Sequence, residues 1–139
     1  MILLDTSGVL AAMAPDQRHH EAVASILRGA PGPFVLSPFV LAELDYLLTK
    51  IAGTDAALAL LDEVARGAYR LAEFGPGNVA QARKIMEKYA DLQIGLADAS
   101  IAVLAHELGT AEVLTLDERH FRAMRGPGDK PFRILPADA

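Results

Sequence analysis

The sequence predicts an α/β fold: a mainly parallel central sheet of four to five strands with helices on both faces. Three observations carry this. Short, largely apolar runs at 2–4, 34–36, 69–74, 112–116 and 132–135 alternate with longer stretches of helical periodicity. The helical stretches carry start and stop signals, among them Ser37-Pro38, Gly53-Thr54 and Gly109. The length of 139 residues and a hydrophobic fraction of 52% suffice for one core and not for two ordinary ones, so residues 1–139 read as a single domain.

In order, Ile2-Leu3-Leu4 is a buried strand that stops at Asp5-Thr6-Ser7-Gly8, and a short helix over about 7–13 follows. Pro15-Asp16 interrupts it. Asp16 is placed to cap a second helix to about Arg28, with Ala22, Val23, Ile26 and Leu27 as its stripe. Phe34-Val35-Leu36 is the second strand. Ser37 then caps a helix whose first residue is Pro38, the position where a missing N–H costs nothing. Its stripe is Val40, Leu44, Leu47, Leu48 and Ile51, and Glu43 lies beside that stripe, flanked by Phe39 and Leu47. A helix with Leu58, Leu61 and Val64 runs on to Gly67. Tyr69–Phe74 is the third strand. Asn78 caps a helix to about Tyr89 whose inward residues are Val79, Ala82, Met86 and Tyr89. After an irregular link at 91–96, a helix from about Ala97 buries Ile101, Leu104, Ala105 and Leu108 and ends at Gly109. Glu112–Leu116 and Phe132–Leu135 complete the sheet.

The composition excludes several classes. With no cysteine there is no disulfide and no thiolate site, so any metal is held by carboxylate, hydroxyl or imidazole, which favours hard ions. No signal peptide or membrane-length apolar run is present, and a soluble cytoplasmic protein is the expectation. The net charge of −5 argues weakly against nucleic acid, but 118–133 carries a net +3 and the remainder −8. A basic segment beside an acidic body suits a phosphate backbone approaching an acidic metal site, or is simply solvated.

On this topology Asp5 and Asp117 lie at carboxyl ends of strands, Asp98 starts a helix at the same edge, and Glu43 sits one turn into the helix after the second strand. Two carboxylates about 4 Å apart repel by roughly 4 kcal/mol at an effective dielectric of 20. Such a cluster holds a proton or a cation. One or two divalent ions remove the conflict and are suited to in-line phosphoryl displacement.

Asp5-Thr6-Ser7 after an apolar strand, Glu43 in a Ser-Pro-capped helix, LADASIAVLA around Asp98 and TLDERHF around Asp117 together resemble the PIN-domain family, and within it the VapC-like toxins of toxin–antitoxin pairs. The resemblance covers essentially the whole chain. It implies a PIN-like three-layer α/β/α fold and an Mg2+- or Mn2+-dependent endoribonuclease that leaves a 5′-phosphate and a 3′-hydroxyl. It also implies a cognate VapB-like antitoxin and a homodimer. Asp5, Glu43, Asp98 and Asp117 match the catalytic, metal-binding quartet, with Asp117 acting directly or through water. Thr6 and Thr115 match hydroxyl positions beside the acids.

Each residue also has a local reading. Asp5 fits a helix cap, Asp98 a dipole-favoured helix start, Asp117 a turn, and Glu43 a salt bridge. Ser7, Ser100 and Thr115 are supporting donors, with local capping as the alternative for the two serines; Asp91 is a rim residue or a helix-end or loop acid. Arg119 and Arg122 are expected to grip RNA phosphates or an antitoxin carboxylate, or to face solvent. His106 and His120 read as surface residues, because this chemistry needs no histidine; His19-His20 is not a metal pair. The helices at 37–51 and 54–67 are candidates for partner or dimer contacts. A stand-alone RNA-processing PIN nuclease and a non-catalytic PIN partner-binding module are the alternatives. A DNA nuclease lacks room for clamping elements. A phosphatase built on Asp5 lacks a second acid, because Ser7 stands there.

Overall fold

The computed structural model describes residues 1–139 as five strands and seven α-helices. The strands are β1 (Ile2–Leu4), β2 (Phe34–Leu36), β3 (Arg70–Leu71), β4 (Glu112–Leu114) and β5 (Arg133–Leu135), in the order β3-β2-β1-β4-β5. Every neighbouring pair is parallel, with Leu4 level with Leu36 on one side and Leu114 on the other. Parallel strands covered on both faces read as continuous apolar runs, and Leu3, Leu4, Val35, Leu36, Val113 and Leu114 are all buried. The helices are α1 (Thr6–Met13), α2 (His20–Gly29), α3 (Pro38–Ala52), α4 (Thr54–Ala65), α5 (Pro76–Lys88), α6 (Leu96–Leu108) and α7 (Glu118–Ala123). They complete a three-layer α/β/α domain.

From β1 the chain builds outward through β2 and β3, then crosses back to lay β4 and β5 on the other side of β1. The carboxyl end of β1 is therefore a topological switch point, where open α/β sheets form crevices.

Helix α6 occupies the centre. Ala99 through Ala105 are buried without interruption, as in a helix packed on all sides. It packs against α5, α3 and β1. Gly109 ends it in the left-handed conformation (φ 71°), with its N–H bonded to the Ala105 carbonyl. Helix α1 lies so close to β4 that a Cβ on Gly8 would stand 2.6 Å from the Leu114 carbonyl oxygen.

Several expectations are corrected. The second helix begins at His20, because residues after Met13 form turns instead of a cap at Asp16. The third strand keeps only Arg70–Leu71, as an edge strand with one partner. Helix α5 starts at Pro76, and Asn78 acts from inside its first turn, its Oδ1 accepting the Gly75 N–H. Val79 is exposed rather than inward. Ile51, Leu58 and Leu61 are exposed as well, while Ala57 and Leu60 carry the buried side of α4. Strand β4 stops at Leu114, so Asp117 sits beyond the strand on the connection to α7. The segment 118–133 is not simply solvated: Phe121, Met124 and Phe132 are buried, and the rings of Phe121 and Phe132 meet edge to face.

Candidate metal centre

Asp5 follows β1 directly, and its N–H continues the ladder by donating to the Leu114 carbonyl at 3.0 Å. It stands at the cap position of α1, yet its side chain makes no cap hydrogen bond. The carboxylate instead turns into the crevice, 5% exposed. Its Oδ2 accepts from Thr115 Oγ1 at 2.6 Å and from Ser7 Oγ at 3.2 Å. Burial pushes its pKa up to about 6; the Thr115 hydrogen bond opposes this and the Asp98 charge adds to it.

The two hydroxyls also fasten the exit of β4. Thr115 Oγ1 accepts the Asp117 N–H at 2.9 Å, and Ser7 Oγ accepts the Leu116 N–H at 2.9 Å. Thr115 thus touches the first acid and sets the backbone of the fourth.

Asp98 occupies the first turn of α6. Burial raises its pKa, opposed by a hydrogen bond from His120, and the charges of Asp117 and Glu43 raise it further. Asp117 caps α7: its Oδ1 accepts the His120 N–H at 3.4 Å. Glu43 is exposed, so water hydrates its carboxylate and the expected cost of a carboxylate beside the core stripe does not arise. No salt bridge claims it either.

These pieces line one depression of about 360 Å³, with Asp5, Thr6, Ser7, Glu43, Asp98 and Asp117 as its polar lining and Leu10, Leu47 and Leu96 as its apolar edge. Thr6 Oγ1 is buried there without a hydrogen-bond partner. A larger groove between α5 and α6, about 470 Å³, holds Asn78, Gln81, Lys84, His106 and Glu107, and no convergent acids.

The donor set fits a hard divalent ion. It consists of carboxylate and hydroxyl oxygens with one imidazole, it crowds like charges, and it leaves one buried hydroxyl unsatisfied.

The other expected residues lie elsewhere. Ser100 is fully buried; its Oγ donates to the Ala97 carbonyl and meets Ser37 Oγ at 2.7 Å, tying α6 to the cap of α3. It steadies the helices of Asp98 and Glu43 without lining the crevice. Asp91 is exposed in the turn at Ala90–Leu92 and does not line the depression. Arg122 is held by both carboxylate oxygens of Asp138, at 2.8 and 2.7 Å, and by Glu118 at 2.9 Å. Arg133 pairs with Glu112, so part of the basic charge of 118–133 is matched locally. Arg119 is exposed and forms no ion pair.

His120 is the residue that sequence reasoning missed. Its Nδ1 lies 2.7 Å from Asp98 Oδ2 and 3.1 Å from Asp117 Oδ2. The signal was the spacing Asp117-Glu118-Arg119-His120, which puts a cap acid and a histidine on one face once a helix starts at 118.

A small α/β domain with an acid-lined crevice at its switch point is the class that fold and site define. The PIN domain family model matches residues 2–127, and the chain belongs to that family. Ribonuclease VapC26 of Mycobacterium tuberculosis (strain ATCC 25618 / H37Rv) is 43% identical over 135 residues, which span 97% of this chain and 100% of the relative. Among solved structures, Mycobacterium tuberculosis VapC20, described as a sarcin-ricin loop cleaving toxin, superposes with a TM-score of 0.80 at 20% identity, covering 86% of this chain and 92% of its own. VapBC2 from Rickettsia felis, bound to a DNA fragment from its promoter, gives 0.66 at 20% identity over 96% and 98% of the two chains.

Proposed function

We propose that the protein is an Mg2+- or Mn2+-dependent endoribonuclease and the toxin of a VapBC-type toxin–antitoxin pair. The observation that carries this reading is the meeting of Asp5, Glu43, Asp98 and Asp117, from four separated segments, in one crevice. The near-full-length likeness to a VapC ribonuclease supports it.

Asp5 and Asp98 would hold the ion most closely, being the more buried acids, with Glu43 and Asp117 at the rim. When bound, a divalent ion supplies the Lewis acidity that activates water and neutralises charge at the scissile phosphate. The chain's own residues do the rest. Thr115 and Ser7 fix the Asp5 carboxylate through Oδ2. The Ser37–Ser100 contact sets α3 against α6, and so Glu43 against Asp98. A carboxylate of the quartet is suited to accept a proton from the attacking water. Water adds in line to phosphorus, the bond to the 3′ oxygen breaks, and the proton balance closes on a 3′-hydroxyl and a 5′-phosphate. Arg119, exposed on α7 two residues after the crevice-lining Asp117, is suited to an RNA phosphate.

The partners in this reading are RNA, a VapB-like antitoxin and a second copy of the chain. Tyr46, Ile51, Leu58 and Leu61 expose apolar surface on α3 and α4 for protein contacts. No helix is long and apolar enough to cross a membrane, and we place the protein in the cytoplasm.

The test is RNA cleavage by partner-free, chelator-treated protein with Mg2+ or Mn2+ restored. Wild type is expected to cut, leaving 5′-phosphate ends, while Asp5→Ala and Asp98→Ala do not. Metal-loaded wild type that leaves every RNA intact overturns the reading.

A further inference from the structure

His120 stands where a ligand to the proposed metal would stand. One ligand atom each from Asp98, Asp117 and His120 lies within 4.8 Å of the other two. The imidazole is 18% exposed, as is the Asp98 side chain it faces. It is also fixed in place: Asp117 caps its helix, and the adjacent Phe121 is fully buried. A second, independent observation points to a ligand in the depression that Asp98 and Asp117 line. Thr6, only 5% exposed, lines the depression with its Oγ1 unpartnered. Leaving a buried hydroxyl so is destabilising, and an ion or its coordinated water would satisfy it.

Resting on the metal-centre reading above, we propose that His120 is a nitrogen ligand of that centre, through Nδ1, and that it biases the site towards Mn2+ over Mg2+. Magnesium prefers near-octahedral oxygen and keeps its waters, whereas imidazole suits first-row transition ions. A site of carboxylates alone lacks that bias. The competing role, in which His120 only donates a hydrogen bond that positions Asp98 and Asp117, leaves no nitrogen on the metal.

The experiment is pulsed electron paramagnetic resonance on the full chain loaded with Mn2+ alone, using protein with natural-abundance or 15N-labelled histidine. A directly bound imidazole gives nitrogen modulation that changes with the label. We expect it in wild type and not in His120→Asp, where an oxygen replaces the nitrogen. In Mn2+/Mg2+ competition, His120→Asp is expected to lower the preference for Mn2+ by about tenfold or more, the scale on which even outer partners of a metal site act. Bound Mn2+ without histidine modulation in wild type overturns the proposal whether or not the variant folds. Modulation that persists in folded His120→Asp overturns it too, because it then arises from His19, His20 or His106. Cleavage of RNA without nitrogen coupling removes this inference and leaves the ribonuclease reading standing; coupling without cleavage does the reverse.

Discussion

At the scale of single residues, the site is held at a cost in stability. Asp5 is a buried carboxylate whose pKa is raised from 3.8 to about 6, first by burial and then by Asp98. The folded state therefore binds a proton more tightly than the unfolded state does. Stability of chelator-treated protein should fall as pH rises from about 4 through about 6 and level off above. Asp5→Asn keeps an acceptor for Thr115 and removes the charge. At pH 7 without metal it is expected to be more stable than wild type by about 1–3 kcal/mol, and to cut no RNA. Urea unfolding of both proteins across that pH range checks this; an Asn variant that is less stable, with the same pH profile as wild type, would count against it. Thr115→Val should act in the opposite direction. It strips Asp5 of the hydrogen bond that most lowers its pKa and leaves the Asp117 N–H without its acceptor. About 1–3 kcal/mol of stability should be lost, with a larger fall in kcat than in binding of RNA. Asp5 and Asp98 were legible in the sequence because strand ends and helix starts are punctuated by residue type. The exposure of Glu43 was not, because helical spacing tells which residues share a face and not what covers that face. The ion pairs of Arg122 were not legible for a related reason: its main partner, Asp138, is remote in sequence, and only the fold brings it near.

At the scale of elements, α1 and α7 position the site, and both depend on close contacts. Gly8→Ala would drive a methyl group into the Leu114 carbonyl. Moving α1 away should cost about 1–3 kcal/mol and displace Thr6 and Ser7, lowering metal affinity as measured by calorimetry. Helix α7 is tied to the end of the chain. Asp138 accepts from Arg122 and from the Ile134 N–H, and its pKa is lowered to about 2, chiefly by Arg122. That contribution is present above the ordinary carboxylate range and is lost as pH falls towards 2. Arg122→Ala is expected to speed hydrogen exchange at the Ile134 amide while leaving the amides of β1 protected; unchanged exchange at Ile134 would refute the tie. Long helices such as α3 and α6 were readable from period and caps. The short α7 was not, since six residues carry too little periodicity, and its cap, Asp117, looked like a turn acid. The same limit trimmed β3 to two residues, because an edge strand with one partner needs no long apolar run.

At the scale of the whole molecule, one topological fact organises the function: the chain leaves β1 in one direction and returns on its other side, so distant acids meet at one end of the sheet. Strand-helix alternation makes that arrangement foreseeable, and it groups the acids from the sequence alone. The outer surface was harder to foresee. Ile51, Leu58 and Leu61 follow a helical stripe but face outward, because an apolar stripe shows that something covers it and not whether the cover is the chain's own sheet. If that cover is a second copy, Ile51→Asp with Leu58→Asp should shift the protein to monomer in light scattering without lowering its melting temperature by more than a few degrees; a wild type that is monomeric at every concentration would exclude the dimer. The central claim is that four acids from four segments form one metal centre. It is tested most directly by anomalous diffraction from crystals of the protein grown with Mn2+. A manganese peak is expected within coordination distance of both Asp5 and Asp98, lost in Asp98→Asn. A protein that binds Mn2+ but places it away from these carboxylates would contradict it.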